Sequence, residues 1–200
     1  MTDLTYKLTF LSFWHCGSGL SAGADVDALV IKDQQGFPFV PGKTLKGLFR
    51  DAANTLKDFG HPAATEALIN IVFGEAGDRQ AGEDEAATRP GCCFFSDAVL
   101  NPAFRQGVMK TSGGAVGHLF SSLTNTAVDE DSGTAKNKSL RRMEVVIPLP
   151  LNGFITVSEQ PDDVKRLLKA CSKLVRRMGT GRHRGLGRCS LVMDEKGGKQ

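Results

Sequence analysis

The 200-residue sequence has no apolar run of the roughly 18–20 residues that a membrane helix needs, so no spanning segment is expected. Its start, Met1-Thr2-Asp3, lacks a basic stretch followed by an apolar one, so no secretory leader is expected. Five cysteines stand at positions 16, 92, 93, 171 and 189, with no CxxC pair. That spacing offers no zinc half-site and suits reduced thiols in a cytoplasm. Trp and Tyr occur once each, which leaves the core to 12 Phe and the aliphatics. The phosphate loop of nucleotide hydrolases is also missing. Gly42-Lys43-Thr44 has Phe37 where the first glycine belongs, Gly36 misses by one, and Pro41 removes a donor N–H.

What remains is an ordinary globular composition, 40% hydrophobic and 24% charged, of a length that suits one domain. Glycine is abundant, at 23 residues, and points to many loops. The net charge of +3 is unevenly spread: residues 161–200 carry 11 Lys/Arg against 4 Asp/Glu, and residues 1–160 carry 14 against 18. Such asymmetry suggests a local polyanion site.

Alternating apolar residues from Leu4 predict a first strand, a Gly/Ser-rich loop follows over 16–24, and residues 28–32 predict a second strand. Residues 33–36 read as a turn holding Asp33, and 37–41 as extended chain, because each proline keeps its predecessor out of the α region. From Thr44 the period changes: Leu45, Leu48, Phe49, Ala52, Ala53, Leu56 and Phe59 predict a helix stopped by Gly60. A second helix is expected over 63–72, a polar loop insertion near 74–91, and a buried strand over 92–95. The Gly/Ser/Thr/Asn-rich stretch near 106–140 reads as a projecting arm. Strands follow over 141–150 and 153–157. A helix then opens on Pro161-Asp162-Asp163, with an apolar stripe from Val164 to Met178 ended by Gly179, and a strand over 189–193 closes the chain. This order fits a ferredoxin-like, RRM-like α+β fold, an antiparallel sheet with helices on one face.

Four constellations bear on chemistry. In residues 179–188, four glycines alternate with Arg182, His183, Arg184 and Arg188. Glycines admit close approach of backbone N–H groups to phosphate, and arginines add forked donors. The plainer alternative is a capping glycine and a turn with solvated arginines. Around Thr44, Lys43, Lys46 and Arg50 flank a helix start that favours an anion, with a solvated helix face as the alternative. Asp25 and Asp27 are two apart in extended chain and point the same way, toward one substrate or one hard cation, or simply into solvent. His15 and Cys16 are adjacent and so face opposite sides of a strand, which argues against a Cys–His dyad. Cys92 and Cys93 read as core thiols.

Together these pieces resemble the RAMP superfamily of CRISPR-associated proteins, and most of all the repeated backbone subunit of type III effector complexes. The resemblance is carried by residues 19–23, by 27–33, by Pro41-Gly42-Lys43-Thr44-Leu45-Lys46-Gly47 with the three residues before it, by Phe94-Phe95-Ser96-Asp97-Ala98, and by Gly181 to Gly187. It spans nearly the whole chain and implies a single RAMP domain over 1–200, with an RRM-like core and a thumb hairpin near 106–140. It implies copies of the chain stacked along a CRISPR RNA beside other effector subunits, with the thumb wedged into the guide–target duplex and no role for a membrane. RNA contacts would come from Lys43, Thr44, Lys46 and Arg50 and from Gly181, Arg182, His183, Arg184, Gly185 and Gly187. It further implies that Asp27, with Asp25 as its nearest competitor, cuts target RNA as a base or as the ligand of Mg2+ or another divalent cation, leaving a cyclic phosphate. Two readings stand beside this one: a non-cleaving, guide-binding scaffold, and a guide-processing endoribonuclease built on His15. In two places the chain departs from the family pattern. The stretch before Asp27 is short, and Ser21 stands where the family often has a histidine.

Overall fold

The computed structural model describes residues 2–21, 26–75, 89–111, 115–127, 129, 133–135, 139–159 and 161–195. Strand β1 (Thr2–Phe10) buries Leu4, Tyr6, Leu8 and Phe10 and turns Asp3 and Lys7 outward, the alternation of a sheet covered on one side. Helix α1 (Gly42–Asp58) and helix α2 (Glu66–Phe73) follow. A two-residue ladder of β2 (Gly74–Glu75) with β3 (Arg89–Pro90) leads to β4 (Cys93–Phe95). Helix α3 (Pro102–Lys110) and a 3-10 turn (Ala115–Leu119) precede the hairpin of β5 (Phe120–Asn125) and β6 (Arg141–Val146). Strand β7 (Pro150–Val157), helix α4 (Pro161–Leu174) and strand β8 (Cys189–Glu195) complete the order.

The main sheet runs β4-β7-β1-β8 and is antiparallel at every pairing. Strands β1 and β4 are therefore parallel with β7 between them, and β7 and β8 are parallel with β1 between them. This is the split βαβ order of the ferredoxin-like fold, as the sequence predicts. Helices α1, α2 and α4 pack on one another and on one face of the sheet. Their apolar stripes, Leu45, Phe49 and Ala53 from α1 and Val164, Leu167, Leu168 and Cys171 from α4, fall at the helical period and meet the inward side chains of β1 in one core. Among the described residues no helix is long and apolar enough to cross a membrane.

Four expectations need correction. Residues 28–32 form no strand: Ala28, Val30 and Lys32 bridge three different partners, Met143, Gly17 and Pro38, so no continuous ladder develops. Strand β4 is buried on one side only, and Phe94 stands 63% exposed beside Phe154 on the uncovered sheet face. Helix α4 stops at Leu174, although Val175 and Met178 continue its apolar stripe. Hydrogen bonds from Met178 N to Gly187 O and from Cys189 N to Arg176 O draw the chain into pairing with the strand that follows. Finally, α3 is an unexpected helix that begins before the expected arm and runs into its start. Asn101 caps it, its side chain accepting from Ala103 N, and Pro102 opens it, yet no residue of the helix is buried. Of the expected loop insertion, residues 76–88 lie outside the described residues, as do parts of the arm.

Cys16, Cys171 and Cys189 are core residues. Burial raises their thiols, to about 12 for Cys16 and Cys171 and about 11 for Cys189. An unfolded chain ionises them near 9.0, so above that pH only the unfolded state releases these protons. Stability contributed by the neutral thiols is complete below pH 9 and is lost as pH rises toward the folded values. The expected outcome is a Tm that falls between pH 9 and 11 by scanning calorimetry; a flat profile contradicts it.

Candidate nucleic-acid interface and cleft

The start of α1 is set by a close backbone approach. A Cβ on Gly42 would lie 2.1 Å from the Phe95 carbonyl oxygen, so only glycine lets the helix abut β4. Pro41 provides the cap position without a side-chain bond. The first helical N–H, of Gly42, donates instead to Asp97 Oδ1 at 2.7 Å. The anion expected at this helix start is therefore the chain's own carboxylate. Asp97 lies inside a stretch that carried the family resemblance, but its sequence context revealed no partner 55 residues away. Thr44 N is also taken, by Pro41 O at 2.9 Å. Lys43, Lys46 and Arg50 surround this helix start, and none of them is in an ion pair among the described residues. Lys46 faces β4: burial and the neighbouring Cys92 raise the Cys93 thiol, and the Lys46 charge opposes that rise.

The glycine-rich loop is docked by its backbone. Gly187 has φ +65° and donates to Phe13 O at 2.7 Å, and a Cβ there would lie 1.8 Å from Met178 O. Thr180 N donates to His15 O at 2.9 Å, Arg184 N and Leu186 N to Gly181 O, and Arg188 N to Ser12 Oγ. These five amides bond within the protein. Gly185 and the side chains of Arg182, His183 and Arg184 remain exposed. Arg182 lines a groove of about 430 Å³ with Leu48, Asp51, Thr55, Arg176 and Arg177. Arg176 and Arg177, not among the predicted site residues, are its further basic members. The groove reaches α1 at Leu48, and Lys46 and Arg50 each lie about 200° around the helix from it. The structure thus places the two expected cationic groups on opposite flanks of α1.

Asp27 lies elsewhere, on a segment pinned to β6. Its N donates to Arg142 O at 2.8 Å, and its Oδ2 accepts from Arg142 N at 2.7 Å. Asp25 lies outside the described residues. A cleft of about 350 Å³ is lined by Asp27 and by His15, Gly17, Gly19, Leu20 and Ser21. The sequence kept His15 and Asp27 apart; the fold brings both to this cleft. His15 is 2% exposed and its Nδ1 lies 2.7 Å from Glu144 O. A carbonyl only accepts, so Nδ1 carries the proton, and in the neutral ring Nε2 keeps its lone pair on the Gly17 side. A Cβ on Gly17 would come within 3.1 Å of Nε2. Where the family often has a histidine this chain has Ser21, yet the cleft still holds an imidazole. Cys16 is buried, and its raised thiol argues against a thiolate dyad. Asp33 belongs to its turn, accepting from Gln35 N and Phe37 N and pairing with Arg105 at 2.6 Å.

A carboxylate and an imidazole on one small cleft can accept and relay a proton. They do not by themselves make a cation site: among the described residues no three His, Cys, Asp or Glu lie together as a ligand set. Asp27 fits a hard cation only as one carboxylate of several ligands, the others coming from outside the described residues.

The RAMP superfamily matches residues 7–190. A chain of the type III-B Cmr-beta complex bound to cognate target RNA superposes with a TM-score of 0.70 and 13% identity, covering 96% of this chain and 97% of that one. A chain of the apo type III-B Cmr-beta complex superposes with a TM-score of 0.64 and 13% identity, covering 98% of each. These likenesses show a shared fold. No curated protein matches the sequence.

The contact at Gly42 predicts a pair of opposite outcomes. Gly42→Ala should cost about 1–3 kcal/mol through overpacking against β4. Gly47→Ala, mid-helix with nothing within 4 Å of the new Cβ, should add about 0.5–1 kcal/mol. Urea melts of both variants check the prediction, and equal effects would contradict it.

Proposed function

The chain belongs to the RAMP superfamily, and on that premise we propose that it is a backbone subunit of a type III CRISPR effector complex that binds CRISPR RNA and cuts complementary target RNA. The observation that supports the cutting half is the cleft lined by both Asp27 and His15. In this reading the Asp27 carboxylate takes the proton from a ribose 2′-OH. The 2′-oxygen bonds to phosphorus, the bond from phosphorus to the 5′-oxygen breaks, and that oxygen takes a proton from water. The products are a cyclic phosphate and a 5′-hydroxyl. His15, its tautomer set by Glu144 O, accepts a hydrogen bond from the substrate and helps hold it in line. A divalent cation, when bound by Asp27 and phosphate oxygens, would offset charge on the phosphate.

The binding half rests on the two cationic flanks of α1. Lys46 and Arg50 on one side, and Arg176, Arg177 and Arg182 on the other, suit a ribose-phosphate chain followed without sequence readout. Sequence choice then falls to guide–target pairing. CRISPR RNA, target RNA, further copies of the chain and other effector subunits are the proposed partners.

One observation favours a non-cutting scaffold as a second reading. The bonds between Asp27 and the Arg142 backbone give the residue a purely structural task. Asp27→Asn separates the two, because the amide oxygen keeps the Arg142 bond and the basic group is lost. In guide-loaded complex, Asp27→Asn and Asp27→Ala should each slow cutting of labelled target at least about 100-fold, with guide RNA retained. Chelation by EDTA should also stop cutting. Cutting by Asp27→Asn at the wild-type rate assigns the residue to the scaffold alone.

The flanks predict a salt dependence. Lys46→Ala and Arg182→Ala should each weaken binding of unrelated single-stranded RNAs equally and lower the salt slope by about 0.7. Separated on α1, the two effects should add. Filter binding across a salt series measures this, and an unchanged slope in the double variant refutes the RNA path.

A further inference from the structure

Glu144, on strand β6, makes four contacts around the cleft although no sequence motif marks it. Its carboxylate is 16% exposed and divided between two partners. Oε2 accepts from Val30 N at 2.9 Å, and Oε1 accepts from the Lys32 ammonium at 2.8 Å. Its backbone N donates to Ala28 O at 3.0 Å, and its backbone oxygen accepts from His15 Nδ1 at 2.7 Å. Lys32 in turn lies 4.2 Å over the Phe120 ring of β5, so the same contacts reach across the hairpin.

The segment that carries Asp27 has no ladder to hold it. Ala28, Val30 and Lys32 make single bridges to three unrelated partners. Three backbone bonds tie it to residues 16–20, from Ser18 N to Leu29 O, Leu29 N to Leu20 O and Ile31 N to Cys16 O, and further bonds run to β6. The Arg142 backbone fixes Asp27 at one point, and Glu144 fixes the three alternate residues that follow. The same residue sets the tautomer of His15. An exposed ion pair alone would contribute little. A carboxylate that also pairs a backbone N–H on an irregular segment fixes geometry, because neither partner has a substitute.

We propose that Glu144 is a positioning residue for target cutting: its carboxylate holds the Asp27 segment at a set distance from His15 and ties the cleft to the seating of the β5–β6 hairpin. A shift of the hairpin would then move the carboxylate and the imidazole together. The proposal rests on the cutting function assigned above and deepens it.

The test uses guide-loaded complex with labelled target RNA and three variants, beside Asp27→Asn. Glu144→Gln keeps an acceptor for Val30 N at full length and loses only the ion pair. Glu144→Asp keeps the charge but is one methylene too short to span Val30 and Lys32 together. Glu144→Ala removes both contacts. For a positioning role, Glu144→Gln should cut within about threefold of wild type, and the Asp and Ala variants should fall 10-fold to 100-fold, guide retention and Tm being close to wild type. Rescue by Asp rather than Gln, or wild-type cutting by all three, overturns the proposal. Loss of cutting in Asp27→Asn with wild-type cutting in Glu144→Ala defeats this inference and leaves the assigned function intact. If the wild-type complex does not cut, the assigned function fails, and hydrogen exchange over residues 28–32 decides the rest. Faster exchange at Val30 in Glu144→Ala but not in Glu144→Gln supports the clamp, and unchanged exchange removes it.

Discussion

Strand β6 is bonded along both edges, and the cleft depends on that arrangement. One edge pairs with β5 over the whole hairpin. The other meets two stretches far apart in sequence: Trp14 exchanges bonds with Val146, and Asp27 and Ala28 with Arg142, Met143 and Glu144. Val145 and Val146 are buried where these stretches converge. Beyond the bonds between residues 16–20 and 29–31, the described part of the segment from Cys16 to Lys32 is held by β6 and by the bridge of Lys32 to Pro38. The hairpin that reads from sequence as an external arm therefore has a root inside the site, and the placement of Asp27 is a tertiary property.

The second constraint is the contact between α1 and β4. Gly42 allows helix and strand to touch, and Asp97 then takes the first free N–H of the helix. The dipole at this end is thus satisfied internally. What remains for a polyanion is side-chain charge carried outward by Lys43, Lys46 and Arg50. The glycine-rich loop follows the same logic. Its left-handed turns and amide bonds fasten it to Phe13 and His15, and its arginines are what it presents to solvent. In both places the glycines make a close fit between protein and protein, and cationic side chains are left at the rim.

The two cationic groups lie on opposite flanks of α1, and the cleft lies a third way, beside the hairpin. An RNA that touches all three must wrap the helix and pass the hairpin root. A pocket enzyme that encloses a small molecule would be built differently. The uncovered sheet face, with Phe94 and Phe154, belongs to none of these three features.

Much of this was legible in the residues. The alternation in β1, the stripes of α1 and α4, the Pro-Gly box and the glycine–arginine run determined an α+β sandwich with cationic loops, because periodicity and turn chemistry are local. Residues whose partners are distant stayed illegible. Helix α3 carries a clear Asn-Pro start but buries nothing, so hydrophobic period could not reveal it. Residues 28–32 have the composition of a strand but pair with three different neighbours, and pairing is not written in composition. Asp97 at the helix start, His15 beside Asp27, and Glu144 between them all depend on contacts across 55 to 129 residues. The sequence alone determined which chemical groups the protein has and which local elements carry them. Only the tertiary structure decided which groups meet, because hydrogen bonds between residues remote in the chain form only once the sheet and the hairpin have set the distances.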